Sequence, residues 1–421
     1  MPIGLAFVAP ALFWGALGVV GVAAASLLAL RHTTGFCVAW LLIAGCSLEM
    51  TLNDLVGPEA FQTTIAAVKA AEIGLAALAM LRWGGRFDPV NPAWAFVAMG
   101  AAGLAHGLYP GLTTADSLRS VVGSVAPFAF CFVRAPEDWA DAMLRAARWC
   151  PLVAVVGGAL LAVAGVRPLF IDSGGWRLAG LGHPAFLASV CLTGIYAPLI
   201  RLYRHGRAPE LAFLAANFLI LVLTGARAPL FYAVAVTGSA LAFVGSPAVP
   251  GRLRALMLLA GVAMVPPLIL LAVSGDLTSV RVFALLGSDA ANLSGRDYLW
   301  PMFEAVTDGS PWFGWGVGAG NVIIPPDSPV ARLLHTWAAH NEYLRIEVEG
   351  GQIGRALLIG MFAVWVWMRT RPLAAAERRI VRLVFLALAG HAVTDNVLIS
   401  TPACVLLAFA AAVFGRGRVN R

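Results

Sequence analysis

The chemistry open to this chain lies in a few polar residues set among long apolar runs. His340 stands in the stretch His335-Thr336-Trp337-Ala338-Ala339-His340-Asn341-Glu342-Tyr343-Leu344-Arg345. An imidazole is the side chain best suited to take a proton from a hydroxyl near neutral pH. Arg177, Arg227 and Arg296 each sit beside glycine, in Gly174-Gly175-Trp176-Arg177, Gly225-Ala226-Arg227 and Ser294-Gly295-Arg296. A guanidinium is planar, permanently charged and able to grip two phosphate oxygens at once. Each residue also has a plainer reading. A single His is usually a hydrogen-bonded structural residue, and an interfacial Arg is usually a snorkelling anchor for lipid headgroups.

Two other chemistries are set aside. His335 and His340 are five apart and do not share a helix face as an i,i+4 zinc pair would. The six cysteines (Cys37, Cys46, Cys131, Cys150, Cys191, Cys404) fall in apolar stretches without a Cys-x-x-Cys and read as small core residues. No metal and no cofactor is expected. The alternate glycines of Pro311-Trp312-Phe313-Gly314-Trp315-Gly316-Val317-Gly318-Ala319-Gly320 have neither a preceding strand nor a following P-loop lysine. That segment is expected to be a tight aromatic turn at the membrane surface.

The elements that must position these residues are membrane helices. Of 421 residues, 60% are hydrophobic and 12% charged, against roughly a quarter charged in an ordinary soluble domain. That rules out a separate soluble catalytic domain. Apolar runs at 4–30, 35–52, 61–81, 92–109, 118–133, 150–166, 182–200, 211–224, 229–245, 255–273, 351–368, 380–397 and 402–415 lack the period-2 alternation of barrel strands. They predict an all-α polytopic transmembrane bundle of about 12–14 spans, since only helices or closed barrels satisfy the backbone in lipid. The whole chain, 1–421, reads as a single integral membrane domain. The N-terminus lacks the basic region and cleavage site of a secretory signal, so its first run is expected to remain as a membrane segment.

The net charge of +7 comes almost wholly from arginine, with Lys69 the only lysine. The arginines cluster after alternate runs, near 82–91, 134–149, 201–210, 246–254, 369–379 and the C-terminus, which is positive-inside patterning and not a nucleic-acid surface. Those loops are expected in the cytoplasm, and the loops 53–60, 110–117, 167–181, 225–228, 274–350 and 398–401 outside. Arg177, Arg227, Arg281 and Arg296 then lie on the side that topology disfavours, and this convergence raises the functional reading above the plain one. Residues 274–350 form an external loop of about 75 residues, far longer than the usual helix connection. Within it Ser294 is expected to cap a helix running to Val306. Among the runs, Lys69 and Glu72 are expected to pair on one helix.

Taken in order, Arg177 with a following His183-Pro184, then Thr224-Gly225-Ala226-Arg227, then Ser294-Gly295-Arg296 with Trp300, then Pro311 with its alternate glycines, then His340-Asn341-Glu342-Tyr343-Leu344 and Gly350-Gly351 resemble the O-antigen ligase and O-antigen polymerase family. The resemblance covers roughly 170–370. It implies a metal-independent, inverting glycosyltransferase of the bacterial inner membrane with its active site facing the periplasm. The donor would be a glycan on undecaprenyl diphosphate, and the acceptor lipid A-core or a growing polysaccharide. Carried over, the diphosphate falls to Arg227 and Arg296, less directly to Arg177, and His340 becomes the catalytic base. The third residue of the His-Asn motif, often glycine in relatives, is Glu342 here, so Asn341 and Glu342 are candidates for the acceptor side. The rival from another class is a transporter or flippase of lipid-linked sugars, which would place ionisable groups near mid-membrane. Here the runs are nearly free of charge apart from Glu49, Lys69 and Glu72.

Overall fold

The computed structural model describes residues 30–172, 175–263, 296–325, 328–334, 336 and 338–415. The run 4–30, Arg281 and the expected cap Ser294 lie outside the described residues. Helices occupy the apolar runs, as an apolar solvent demands when every backbone polar group must be satisfied internally. They are α1 (Thr33–Gly45), α2 (Leu48–Val56), α3 (Pro58–Trp83), α4 (Ala93–His106), α5 (Thr114–Val125), α6 (Glu137–Ala147), α7 (Cys150–Val163), α8 (Pro184–His205), α9 (Pro209–Leu223), α10 (Arg227–Phe243), α11 (Gly251–Ala263), α12 (Arg296–Thr307), α13 (Pro329–Leu334), α14 (Glu342–Thr370), α15 (Ala375–His391) and α16 (Thr401–Gly415). A 3-10 segment, Ala126–Phe132, prolongs α5.

The all-α membrane class holds. Among the described residues three helices are long and apolar enough to cross a bilayer, Glu59–Trp83 in α3, α8 and α14; the number rises to 5 if α1 with α2 (bent by 59°) and α6 with α7 (44°) each count as one span. The shorter apolar helices α4, α9, α10 and α16 have 10–17 residues, and a 15-residue helix is only about 22 Å long against a ~30 Å hydrocarbon core. By that measure the described helices do not reach the span count expected from the runs. Two local expectations are corrected. The arginine-bearing stretch 134–149 is not a loop: it contains α6, with Trp139, Met143 and Ala147 buried at i, i+4 and i+8, an amphipathic period that its charges conceal. The stretch 167–181 holds a two-stranded hairpin, β1 (Phe170–Asp172) against β2 (Trp176–Leu178).

Two helices carry the centre. Helix α8 is buried along most of its length and is interior, whereas α3 is largely exposed. Helix α16 has alanine at 403, 408 and 410–412 and packs on α1, α6, α8 and the 3-10 segment. Small side chains let backbones approach closely, which is how helices associate where lipid is as apolar as the core. Trp365 closes one end against Phe414 at 5.0 Å and Phe385 at 5.8 Å.

The arginine-rich connections meet at one end of the bundle. Arg204 at the end of α8 reaches Glu137 at the start of α6 and Glu377 at the start of α15. Arg148 and Arg201 share the Glu210 carboxylate at 2.7 and 2.9 Å, and Arg369 pairs with Asp88. The N-termini of α8, α10 and α14 and the C-terminus of α15 therefore lie at the other end, and the functional candidates lie with them.

Candidate active site

At that opposite end a cavity of about 1360 Å³ opens between α3, α5, α8, α14 and the α15–α16 connection. His183, Thr336, His340, Arg345, His391 and Asp395 are among its polar lining, and Ile65, Leu118, Phe186 and Leu406 are part of an apolar wall.

His340 immediately precedes the cap of α14. Asn341 is the N-cap, its side chain accepting the Leu344 N–H at 3.2 Å, so His340 is held in the last turn of loop, at a left-handed φ of 47°. That conformation is costly for a residue with a Cβ and is retained where the surroundings enforce it. The imidazole is bonded on both sides: Nδ1 lies 3.3 Å from Asp395 Oδ1 and Nε2 lies 2.9 Å from Thr336 Oγ1. Burial alone would raise the Asp395 carboxyl, but the hydrogen bond from His340 and the charges of His340 and His391 outweigh it and hold it below the usual carboxylate range. An ionised carboxylate can only accept, so Nδ1 carries the proton. In the neutral ring Nε2 is then the acceptor, and it lies against the Thr336 hydroxyl. His391, on the last turn of α15, faces the other carboxylate oxygen at 3.9 Å.

The sequence reading missed Asp395. It lies 55 positions beyond His340, in the short α15–α16 connection, and the signal was only an acidic residue beside Asn396 among apolar neighbours.

Of the arginines, Arg177 is placed by the hairpin, opposite Ile171, and is buried. Its Nε donates to the Thr224 carbonyl at 2.8 Å, which ties it to the turn that presents Arg227. Arg227 is the first residue of α10 and is exposed. Arg296 is likewise the first residue of α12; its side chain lies outside the described residues. One turn further along α12, Trp300 Nε1 donates to the Ala339 carbonyl at 2.8 Å, which docks this helix on the segment bearing His340. Arg177 and Arg227 are not among the described residues that line the cavity, and Arg227 stands at a helix N-terminus, where a cation opposes the macrodipole.

Glu342 takes another duty. It is buried, its N–H donates to the Ala392 carbonyl at 2.7 Å, and its carboxylate accepts from Arg345. Arg345 also donates to Glu349 at 2.7 Å, so Glu342, Arg345 and Glu349 form a buried triad at i, i+3 and i+7. Arg345 and Glu349 of that triad line the cavity. The triad was legible as a spacing and was not read. Lys69 and Glu72 interact through their charges, as the spacing predicts, and Lys69 Nζ also donates to the Ile399 carbonyl at 2.9 Å, because α3 faces the α15–α16 connection there.

The alternate glycines serve packing. Helix α14 breaks at Gly351 (φ 62°), and the carbonyls and N–H groups around the break are taken up by 311–316: Trp315 N to Val348 O at 2.8 Å, Gly316 N to Glu349 O at 3.0 Å and Gln352 N to Pro311 O at 2.8 Å. A Cβ on Gly314 would lie 2.5 Å from the Glu349 and Gly350 backbone.

The fold and this cavity define a predominantly helical membrane protein with a histidine–carboxylate pair and arginine-bearing helix starts at one end of its bundle. Residues 212–359 match the O-antigen ligase family, and the resemblance read from the motifs is borne out over that stretch, which contains Arg227, Arg296, His340, Asn341 and Glu342. A search of curated proteins finds no match to the chain. The family match supports a membrane enzyme of polysaccharide assembly.

Proposed function

We propose that the protein transfers a glycan from undecaprenyl diphosphate to an acceptor hydroxyl, with the cavity end of the bundle facing the periplasm. The observation that carries this reading is the bonding of His340, held between Asp395 on Nδ1 and a hydroxyl, that of Thr336, 2.9 Å from Nε2, inside a cavity with an apolar wall. An acceptor hydroxyl taking the place of Thr336 Oγ1 loses its proton to Nε2 as its oxygen attacks the anomeric carbon. Asp395 stabilises the imidazolium that forms. The bond to the lipid diphosphate breaks on the opposite face, inverting the anomeric centre, and the leaving dianion is met by Arg227 and Arg296, with Arg177 fixing the turn of Arg227. Positive groups preset where charge develops lower the barrier without reorganisation. Lipid A-core or a growing polysaccharide would serve as acceptor, a ligase or a polymerase respectively.

The test uses purified protein with undecaprenyl diphosphate-linked glycan and each acceptor. His340→Gln should stay folded and lose roughly 10²–10⁴-fold in transfer rate, the usual worth of a general base. Arg227→Lys keeps the charge and loses the two-pronged grip, so its activity should fall sharply as well. A His340→Gln protein that transfers at close to the wild-type rate would remove the base from this scheme.

A further inference from the structure

We propose that His183 binds the donor's diphosphate as a neutral hydrogen-bond donor, through an Nε2–H presented to the same cavity as His340; this rests on the donor site proposed above. His183 is the N-cap of α8, and its Nδ1 accepts the Ala185 N–H at 3.3 Å. A ring nitrogen that accepts carries no proton, so in the neutral ring the hydrogen is on Nε2. That atom makes no hydrogen bond among the described residues, while the side chain lines the cavity.

The surroundings keep the ring neutral. Burial lowers its pKa first, the charges of Arg177 and Arg167 lower it further and His340 adds to them, with Asp54 pulling the other way; the result is about 4. The N-terminus of α8 works in the same direction, because its positive dipole end disfavours an imidazolium. An imidazole so placed acts as a donor and not as a base. Its position is also fixed in advance. The preceding loop is tied by Ala179 N to Leu169 O at 3.0 Å, Leu181 N to Ala154 O at 2.9 Å and Arg167 Nη1 to Leu181 O at 3.1 Å. Gly180 adopts φ 59° against the Ala154 carbonyl. A donor held this way at the positive end of an interior helix, beside Arg177, is suited to a phosphate oxygen.

Capping and ligand binding are separated by two substitutions. His183→Asn keeps an oxygen where Nδ1 stood, and asparagine is among the best N-caps, but nothing remains at the place of Nε2. His183→Gln restores an amide donor near that place and gives up the cap. Binding of undecaprenyl diphosphate alone is measured on the full chain in detergent, together with thermal stability. The expected result for His183→Asn is wild-type stability with affinity weakened roughly tenfold to hundredfold, the worth of a hydrogen bond to a charged group. His183→Gln should melt earlier and bind within a few-fold of wild type. A His183→Asn protein that binds as tightly as wild type reduces His183 to a cap and overturns the proposal. Wild-type protein that does not bind undecaprenyl diphosphate at all overturns the donor site itself, a distinguishable result.

Discussion

At the scale of residues, the informative unit is a pair that neither member announces alone. His340 is one of seven histidines, and the role proposed for it depends on Asp395, which accepts at Nδ1 and lies on another connection. Asp395→Asn keeps the size and can still hydrogen-bond, yet it removes the charge that holds the proton on Nδ1. The transfer rate should then fall roughly 10²-fold or more with little change in donor affinity. The pH behaviour follows from the lowered carboxyl of Asp395. A depressed carboxylate stays ionised as the medium becomes mildly acid, so Asp395 keeps its charge there. The stability that Asp395 contributes is present above the unfolded-state value of about 3.9 and is lost only as pH falls through the lower folded value. A melting profile against pH checks this: Asp395→Asn should differ from wild type through mildly acid pH, and the difference should close only below about 3.9.

At the scale of elements, the break in α14 decides where the site is built. Gly351 is left-handed and a Cβ there would lie 2.3 Å from the backbone of Trp312. Gly351→Ala should cost at least about 1–3 kcal/mol from strain alone, read as a lower melting temperature in detergent. A similar change at Gly261, where nothing lies within 4 Å, should leave the melting temperature close to wild type. The same break sets Val348 and Glu349 against the 311–316 segment, so the Glu342–Arg345–Glu349 triad is clamped from two sides. Arg345→Ala would leave two buried carboxylates facing each other and should cost about 3–5 kcal/mol. An Arg345→Ala protein as stable as wild type would show that the triad is not structural.

At the scale of the whole molecule, the ion pairs of Arg148, Arg201, Arg204 and Arg369 gather one set of connections at one end and leave the cavity at the other. The proposed function requires those ends to face opposite compartments. All six cysteines are buried and unpaired, so they can be replaced to give a background for single-cysteine labelling. Asp308→Cys, at an exposed position after α12, should react with an impermeant reagent added outside spheroplasts, and His205→Cys, at the end of α8, should not. The reverse pattern would put the cavity in the cytoplasm and end the periplasmic reading.

Much of this architecture was legible in the chain itself, because lipid imposes a local rule. An apolar run must satisfy its own backbone, so the runs marked their helices with no knowledge of their neighbours. The arginine clusters marked alternate connections for a reason equally local. The residues opposite the arginine-rich end, Arg177, Arg227 and His340, stood out against that pattern. Partnership was not local. The contact of His340 with Asp395, the commitment of Glu342 to Arg345, the meeting of Lys69 with the Ile399 carbonyl and the opening of His183 onto the cavity of His340 all depend on how helices cross, and a single chain carries no measure of that. Nor could spacing show that the alternate glycines of 314–320 serve a broken helix: a glycine reads alike beside a phosphate and beside a backbone, and only the packed structure puts α14 against it.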